Sequence, residues 1–327
     1  MTTPIDNSLA APIEVVASDG VGERLDRFLA TRLTGYSRAQ IQRWIALGAV
    51  TCEQRVVSAK TRLNGSEIIL VEPQPREADA AFVAEPVDFP VLDEGRGYLV
   101  IDKQAGLVVH PGSGNWHGTL MNGLLFRYPA LSSLPRAGIV HRLDKDTSGL
   151  LIVATDELAR ESLIGQLADR SLSRRYLAIC EGTVDRPLEF TGAIGRDIAN
   201  RLRMAVCHDG KAALTHLTPL VQGRLAGEAV TLVECRLATG RTHQIRVHLA
   251  HAGHPLIGDT VYGARAGRAG RQMLHAWRLE LARPLYGFRG SWRSALPADF
   301  QSTLAAAGVD PIIAMTTVDK IAQRPDH

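Results

Sequence analysis

Nine residues from His141 to Gly149, HRLDKDTSG, hold two carboxylates, two cations and an imidazole. They run directly into Leu150–Ala154, an apolar stretch that reads as a buried strand. Two readings are open. Charged loops are usually solvated turns with internal ion pairs. Alternatively, Asp144 is a carboxylate set at the end of a strand, flanked by cations that lower its pKa and keep it ionised, as a nucleophile requires. A second group, His248, His251 and His254, invites a metal reading. On a helix each step of three turns by about −60°, so the outer two diverge by about 120°, and His254 precedes Pro255, which favours a position off the helix. No metal site is expected there. Cys52, Cys180, Cys207 and Cys235 are widely spread, with no C-x-x-C pair, and are expected to be reduced thiols.

The elements that must position these groups divide into two sets. Between Glu23 and Arg62 eight Lys/Arg face three acids, whereas seven acids face Arg76 alone between Glu72 and Glu94. A basic module followed by an acidic connector implies two units with different surfaces. In the first, Leu25, Phe28, Leu29 and Leu33 recur at helical spacing. Ser37 then caps a second helix carrying Ile41, Trp44 and Ile45, and short strands follow at 49–52 and 67–71. The run PQPREADAAFVAEPVDFP has four prolines and no period, and reads as a linker. The second unit mixes strands at 98–102, 150–154, 175–180, 203–207, 212–221 and 230–237 with helices at 118–127 and 157–167. Many strands with few crossover helices predict an α+β fold on a mainly antiparallel sheet. The expected boundaries are a leader at 1–20, a basic module at 21–72, the linker at 73–90, the larger domain at 91–308 and a tail at 309–327.

The chain has 327 residues, 45% of them hydrophobic, and a net charge of +3, which permits a nucleic-acid partner without requiring one. No apolar run approaches the ~20 residues of a membrane span. The start, MTTPIDNSLAAPIEVV, lacks the basic and apolar segments of a signal peptide. A cytoplasmic monomer with no membrane partner is expected.

The string GIVHRLDKDTSGLLIVA resembles the signature of the RluA family of pseudouridine synthases. Upstream LVVHPGSGNWHGTLMNGLL, and downstream RRYLAI, MAVCHDGKAALTH, TGRTHQIRVHLAHAGHPLIGDTVYG and MLHAWRLEL, are similar to the family's segments in the family's order. The N-terminal module resembles the small RNA-binding domain of ribosomal protein S4. The likeness spans about residues 20 to 300. VVHPGSGN and LPRAGIVHRLDKDTSGLLIVAT are most similar to the branch of the family that modifies helix sixty-nine, a stem-loop of large-subunit ribosomal RNA.

The resemblance implies isomerisation of uridine to pseudouridine with no cofactor, since the reaction has no redox change and no net hydrolysis. It makes Asp144 the catalytic aspartate and Tyr176 the active-site tyrosine, a residue that otherwise reads as a core tyrosine in a strand. It makes Arg246 the salt-bridge partner of Asp144, with Arg241 in support or on phosphate. Without the resemblance, both arginines could simply meet solvent or phosphate. Arg142 becomes the side chain that fills the space left by an extruded base, with His141 beside it on the RNA. Arg24, Arg27, Arg38 and Arg43 of the basic helices would contact phosphates; a plain solvated face is the alternative. Two departures from the family stand out: Arg174, where lysine is common, and Arg283, where histidine before the proline is common. The competing expectations are a synthase acting on tRNA or another ribosomal site, a non-catalytic ribosome-assembly factor, and a glycosidase. The last would need a second carboxylate, for which Asp146 is the near candidate.

Overall fold

The computed structural model describes residues 11–74, 82–112, 115–201, 203–263 and 269–322. It divides into two compact units, Met1–Ala80 and Ala81–His327.

In the first unit α1 (Leu25–Arg32) and α2 (Arg38–Ala46) pack beside a sheet of β1 (Ile13–Val16), β2 (Val50–Cys52), β3 (Arg55–Val56) and β4 (Ile68–Val71), ordered β1-β4-β2-β3. Ser37 and Gln40 form a reciprocal capping box at the start of α2. Phe28, Leu29, Ile41 and Trp44 are buried against Ile69 and Val71. The expected leader is corrected in part. Residues 13–16 pair antiparallel with β4, a partner more than fifty residues away that four residues of local sequence do not reveal; residues 1–10 lie outside the described residues.

The second unit is built on a nine-stranded, mainly antiparallel sheet, which makes the fold α+β. Its strands are β5 (Val91–Gly95), β6 (Tyr98–Lys103), β7 (Ser148–Ala154), β8 (Leu172–Glu181), β9 (Leu188–Phe190), β12 (Thr215–Leu225), β13 (Glu228–Leu237), β14 (Leu274–Leu281) and β15 (Ser291–Arg293). A separate hairpin joins β10 (Ile194–Arg196) to β11 (Met204–Val206). The path is β5-β6-β7-β14-β8-β13-β12-β9, with β15 on β14. Every residue of β7 is buried, as its unbroken apolar run requires of a central strand. Strand β14 lies between β7 and β8, parallel to the first and antiparallel to the second. The sequence reading assigned no strand there. Gly149 makes the β7–β14 approach possible: its φ is +106° and an added Cβ would sit 2.2 Å from the Ala276 carbonyl oxygen. The helices are α3 (Leu120–Arg127), α4 (Glu157–Ala168), α5 (Gln244–His251), α6 (Ala298–Ala306) and α7 (Pro311–Ala322).

Two further expectations change. Part of the acidic linker is packed: Phe89 is buried in the main core, the Asn122 amide donates to the Val83 carbonyl, and Glu85 accepts from the Gly118 N–H. Residues 75–81 of that linker lie outside the described residues. The expected tail forms α7, whose Ala314 and Val318 are buried with Phe300 and Leu304. Its apolar positions recur at a step of four, too few to register as a period in sequence. The four cysteines are free; Cys52, Cys180 and Cys235 are buried and Cys207 is half-buried. Among the described residues no helix is long and apolar enough to cross a membrane.

Candidate active site

The loop before β7 is fixed by its backbone. A turn at Arg136, Ala137 and Gly138, all at positive φ, leads into it. Gly138 is needed there, since a Cβ would meet the Ala154 carbonyl oxygen at 1.9 Å. Ile139 then bridges Val153, and the Ile152 N–H donates to His141 Nε2 at 3.1 Å. On the far side of Asp144, Lys103 Nζ donates to the carbonyls of Lys145, Gln104 and Leu107 at 2.8–2.9 Å. Arg271 Nη1 donates to the Asp146 carbonyl at 3.0 Å. Leu143 is buried in the core, so Arg142 and Asp144 on either side of it face outward.

His141 is half-buried and anchored within the loop. Burial pushes its imidazole down to about 3, and its Nε2 accepts a strand N–H. It is a neutral ring that ties the loop to β7, and it also lines the cleft beside Asp144. Lys103 is internal: burial pushes its ammonium down to about 7, against the opposing pull of Asp146 and Asp144.

Asp144 meets Arg246 from α5, with Arg246 Nη1 donating to Asp144 Oδ2 at 3.1 Å. The same guanidinium donates from Nε and Nη2 to both oxygens of Asp259, at 2.6 and 3.0 Å. Burial opposes its charge, but the Asp259 bonds and the two carboxylates outweigh burial and raise its pKa. Asp259 thus holds the fork and leaves one arm for Asp144. The turn ahead of α5 is set by Gln244. Its Nε2 donates to the Leu214 carbonyl and Thr215 Oγ1, and its Oε1 accepts from the Arg241 N–H and Thr239 Oγ1. Arg241 does not reach Asp144. It is exposed at the cleft, with Nε donating to the Ala212 carbonyl at 3.0 Å.

Asp144 opens into a cleft of about 320 Å³ lined also by Tyr176, Arg142, Arg174, Arg241, His110 and His243, a size within the ~300–1,000 Å³ of small-ligand pockets. Tyr176, on β8, is buried and its hydroxyl is pushed up by burial, with Arg174 pulling the other way. It is a neutral phenol. Arg174 is also buried, and its Nε has no hydrogen-bond partner among the described residues. Burial pushes His110 down to about 4, helped by Arg136 and Arg142, so it is a neutral ring at the cleft wall. Arg142 is exposed and carries no ion pair among the described residues. Among the described residues the cleft thus offers one carboxylate, one phenol and several cations.

The sequence reading missed Asp259, His243, Lys103 and His110. Asp259 was visible in HPLIGDTVYG, thirteen residues after Arg246, but nothing local shows that a guanidinium waits for it. Of the triad once considered for metal, His248 bonds Thr215 Oγ1 and the Gly192 carbonyl, and His254 bonds the Glu181 carbonyl.

In the first unit Arg24 and Arg38 both close on Asp26, at 2.8–3.1 Å, and the Gln42 amide adds a bond of 2.6 Å. Arg27 is exposed and Arg43 half-buried.

Residues 97–251 match the model of the RNA pseudouridylate synthase family, and residues 23–69 match the S4 domain. The chain is 45% identical to the ribosomal large subunit pseudouridine synthase D of Nitrosomonas europaea, over 90% of this chain and 87% of that one. It is 41% identical to the protein of the same name from Pseudomonas aeruginosa, over 85% and 90%. It is also 40% identical to an uncharacterized RNA pseudouridine synthase of Bacillus subtilis, over 88% and 95%. Among solved structures, human RNA pseudouridylate synthase domain containing 1 superposes with a TM-score of 0.58 at 28% identity, over 75% of this chain and 98% of that one. With an S4 domain ahead of the sheet that carries the Asp144 cleft, the chain belongs to the family of RNA pseudouridine synthases, which are isomerases.

Proposed function

We propose that the enzyme converts uridines of large-subunit ribosomal RNA to pseudouridine in the cytoplasm, that its target is the helix sixty-nine stem-loop, and that Asp144 is its catalytic carboxylate. The names of the relatives in Nitrosomonas and Pseudomonas support the ribosomal substrate. The observation that carries the site is the state of Asp144: one oxygen is held by Arg246, and the residue lines the same cleft as Tyr176.

The reaction breaks the N1–C1′ bond, turns the uracil and rejoins it through C5. The proton on C5 is lost and N1 gains one, so no electron acceptor is needed. Asp144 acts by adding to the base, attacking the sugar or assisting elimination. Tyr176 packs its ring on the extruded uracil and offers its hydroxyl as a proton relay. A paired uracil is out of reach, and extrusion costs a few kcal/mol. Arg142, exposed at the cleft and free to swing, fills the vacated stack. Arg241 takes a phosphate near the mouth. Arg27 and the other basic side chains of the S4 unit add sequence-independent affinity.

The test is tritium release from C5-labelled uridine in transcripts of candidate stem-loops, with Asp144→Asn alongside. Release from helix sixty-nine RNA, lost in the variant while RNA binding persists, is expected. Activity in Asp144→Asn would overturn the role of the carboxylate. Helix sixty-nine keeping its pseudouridines in a deletion strain would overturn the substrate.

A further inference from the structure

Asp144 has a second neighbour besides Arg246. His243 Nε2 lies 3.8 Å from Asp144 Oδ1, and His243 Nδ1 lies 2.8 Å from the hydroxyl oxygen of Tyr262. That oxygen also accepts the backbone N–H of Met204, in the β10–β11 hairpin, at 2.9 Å. Two guanidinium groups lie against the Tyr262 ring, with Arg246 Cζ 5.1 Å and Arg203 Cζ 5.4 Å from its centroid. Tyr262 is itself buried.

The order of protons along this chain follows from donor and acceptor capacity. Met204 can only donate, so the phenol oxygen accepts there. Among the described residues the phenol's own proton has one acceptor, His243 Nδ1. The imidazole proton must then be on Nε2, the nitrogen facing Asp144. An independent electrostatic reason gives the same order: the other tautomer would point a nitrogen lone pair at a carboxylate oxygen. Burial also lowers the pKa of His243, against the pull of Asp144, in keeping with a neutral ring. The residue sits at φ +57° immediately before α5, a left-handed conformation that orients its ring and that side chains other than Asn rarely take without a reason.

We infer that Tyr262 and His243 are positioning residues for the isomerisation: the Tyr262 hydroxyl fixes the Nε2–H tautomer of His243, and that N–H orients the oxygen of Asp144 that Arg246 leaves unbonded. This rests on Asp144 being the catalytic carboxylate. At 3.8 Å the pair is a charge–dipole contact rather than a hydrogen bond, so His243 guides the carboxylate without occupying the lone pair that must react. Arg246 and His243 then hold the two oxygens from two sides, and Tyr262 touches both holders.

The experiment combines ring nitrogen NMR with kinetics on the full-length enzyme. In ¹⁵N–¹H spectra of the histidine rings, His243 is expected as the neutral Nε2–H form, and Tyr262→Phe is expected to abolish that fixed pattern. The same variant keeps the ring beside the two arginines and removes only the hydroxyl. It should lower kcat about tenfold with KM for RNA unchanged. His243→Gln retains an amide N–H near the Nε2 position, whereas His243→Asn retains only a group near Nδ1. Activity should therefore rank Gln above Asn. A purely structural role ranks them the other way, because Asn is the better residue at positive φ. An Nδ1–H ring in the wild type, unchanged kcat in Tyr262→Phe, or Asn at or above Gln would each overturn the inference. The tautomer is read without turnover, so its failure is distinct from failure of the Asp144 reading, which shows as activity in Asp144→Asn.

Discussion

Asp26 and Asp144 are both aspartates held by arginine, and they are built for opposite ends. Asp26 is fully buried. Its Oδ1 takes a bond from Arg24, and its Oδ2 takes bonds from Arg24, both donors of Arg38 and Gln42. Burial opposes its ionisation, but the bonds from Arg38, Gln42 and Arg24 prevail and hold it below the usual carboxylate range. Among the described residues Asp144 has one side-chain hydrogen bond, on Oδ2, and it keeps 16% of its side chain exposed at a cleft. A saturated carboxylate is a fastener. One left partly unbonded at a cavity, with its partner itself held by Asp259, is available to react. Charge and neighbours are alike in kind; the number of lone pairs left over separates the two.

The largest effect expected from this contrast is kinetic. Asp144→Asn should lower turnover at least about a thousandfold, with the melting temperature within a few degrees of wild type; a large loss of stability in place of activity would erase the distinction. Asp259→Asn should cost about a hundredfold in kcat, because the Arg246 fork loses its bidentate holder and is free to turn away from Asp144. Equal kcat in single-turnover assays would show that Arg246 needs no support. Arg142→Ala should lower turnover about tenfold or more on a stem-loop and less on an unpaired oligonucleotide, since only the paired base must be replaced in its stack. Equal losses on both substrates would remove the wedge role.

Asp26→Asn should behave in the reverse manner to Asp144→Asn. It should destabilise the S4 unit by about 1–3 kcal/mol, as expected for a buried carboxylate whose arginine partners reach solvent. RNA affinity should fall while kcat at saturating RNA holds, as denaturant titration and binding assays would show. The smallest effect is one of pH. The S4 unit has no histidine, because all eleven lie beyond residue 80. In the catalytic unit burial lowers His110 to about 4, His141 to about 3 and His275 to about 4. Between those values and the ordinary 6.5 the unfolded chain binds more protons than the folded one, so stability falls as pH falls through that window. The Asp26 contribution is present above the unfolded value, near 4, and is lost only below it. Acid should therefore loosen the catalytic unit first, and His141→Asn should flatten its slope by about one proton; loss of the S4 unit first would refute the ordering.

The sequence by itself determined the two-unit plan, the α+β class and the loop in which a carboxylate precedes a buried strand. These are local: helical period, an N-cap at Ser37, an apolar run after HRLDKDTSG. It also brought Asp144, Tyr176, Arg246 and Arg142 into view, because their segments resemble a family in order and spacing. Tertiary structure decided what each charge faces. His141, read as an RNA contact, accepts a strand N–H from Ile152 while lining the cleft. Arg24 and Arg38, read as phosphate contacts, bond Asp26. Strand β14 and helix α7 took their identity from the surfaces they cover. Asp259, Tyr262 and His243 joined the site only when α5 and the segment after it folded back over the loop. A lone pair is satisfied or left open by atoms a hundred residues away, such as Arg246 on Asp144, and one-dimensional sequence does not record that distance.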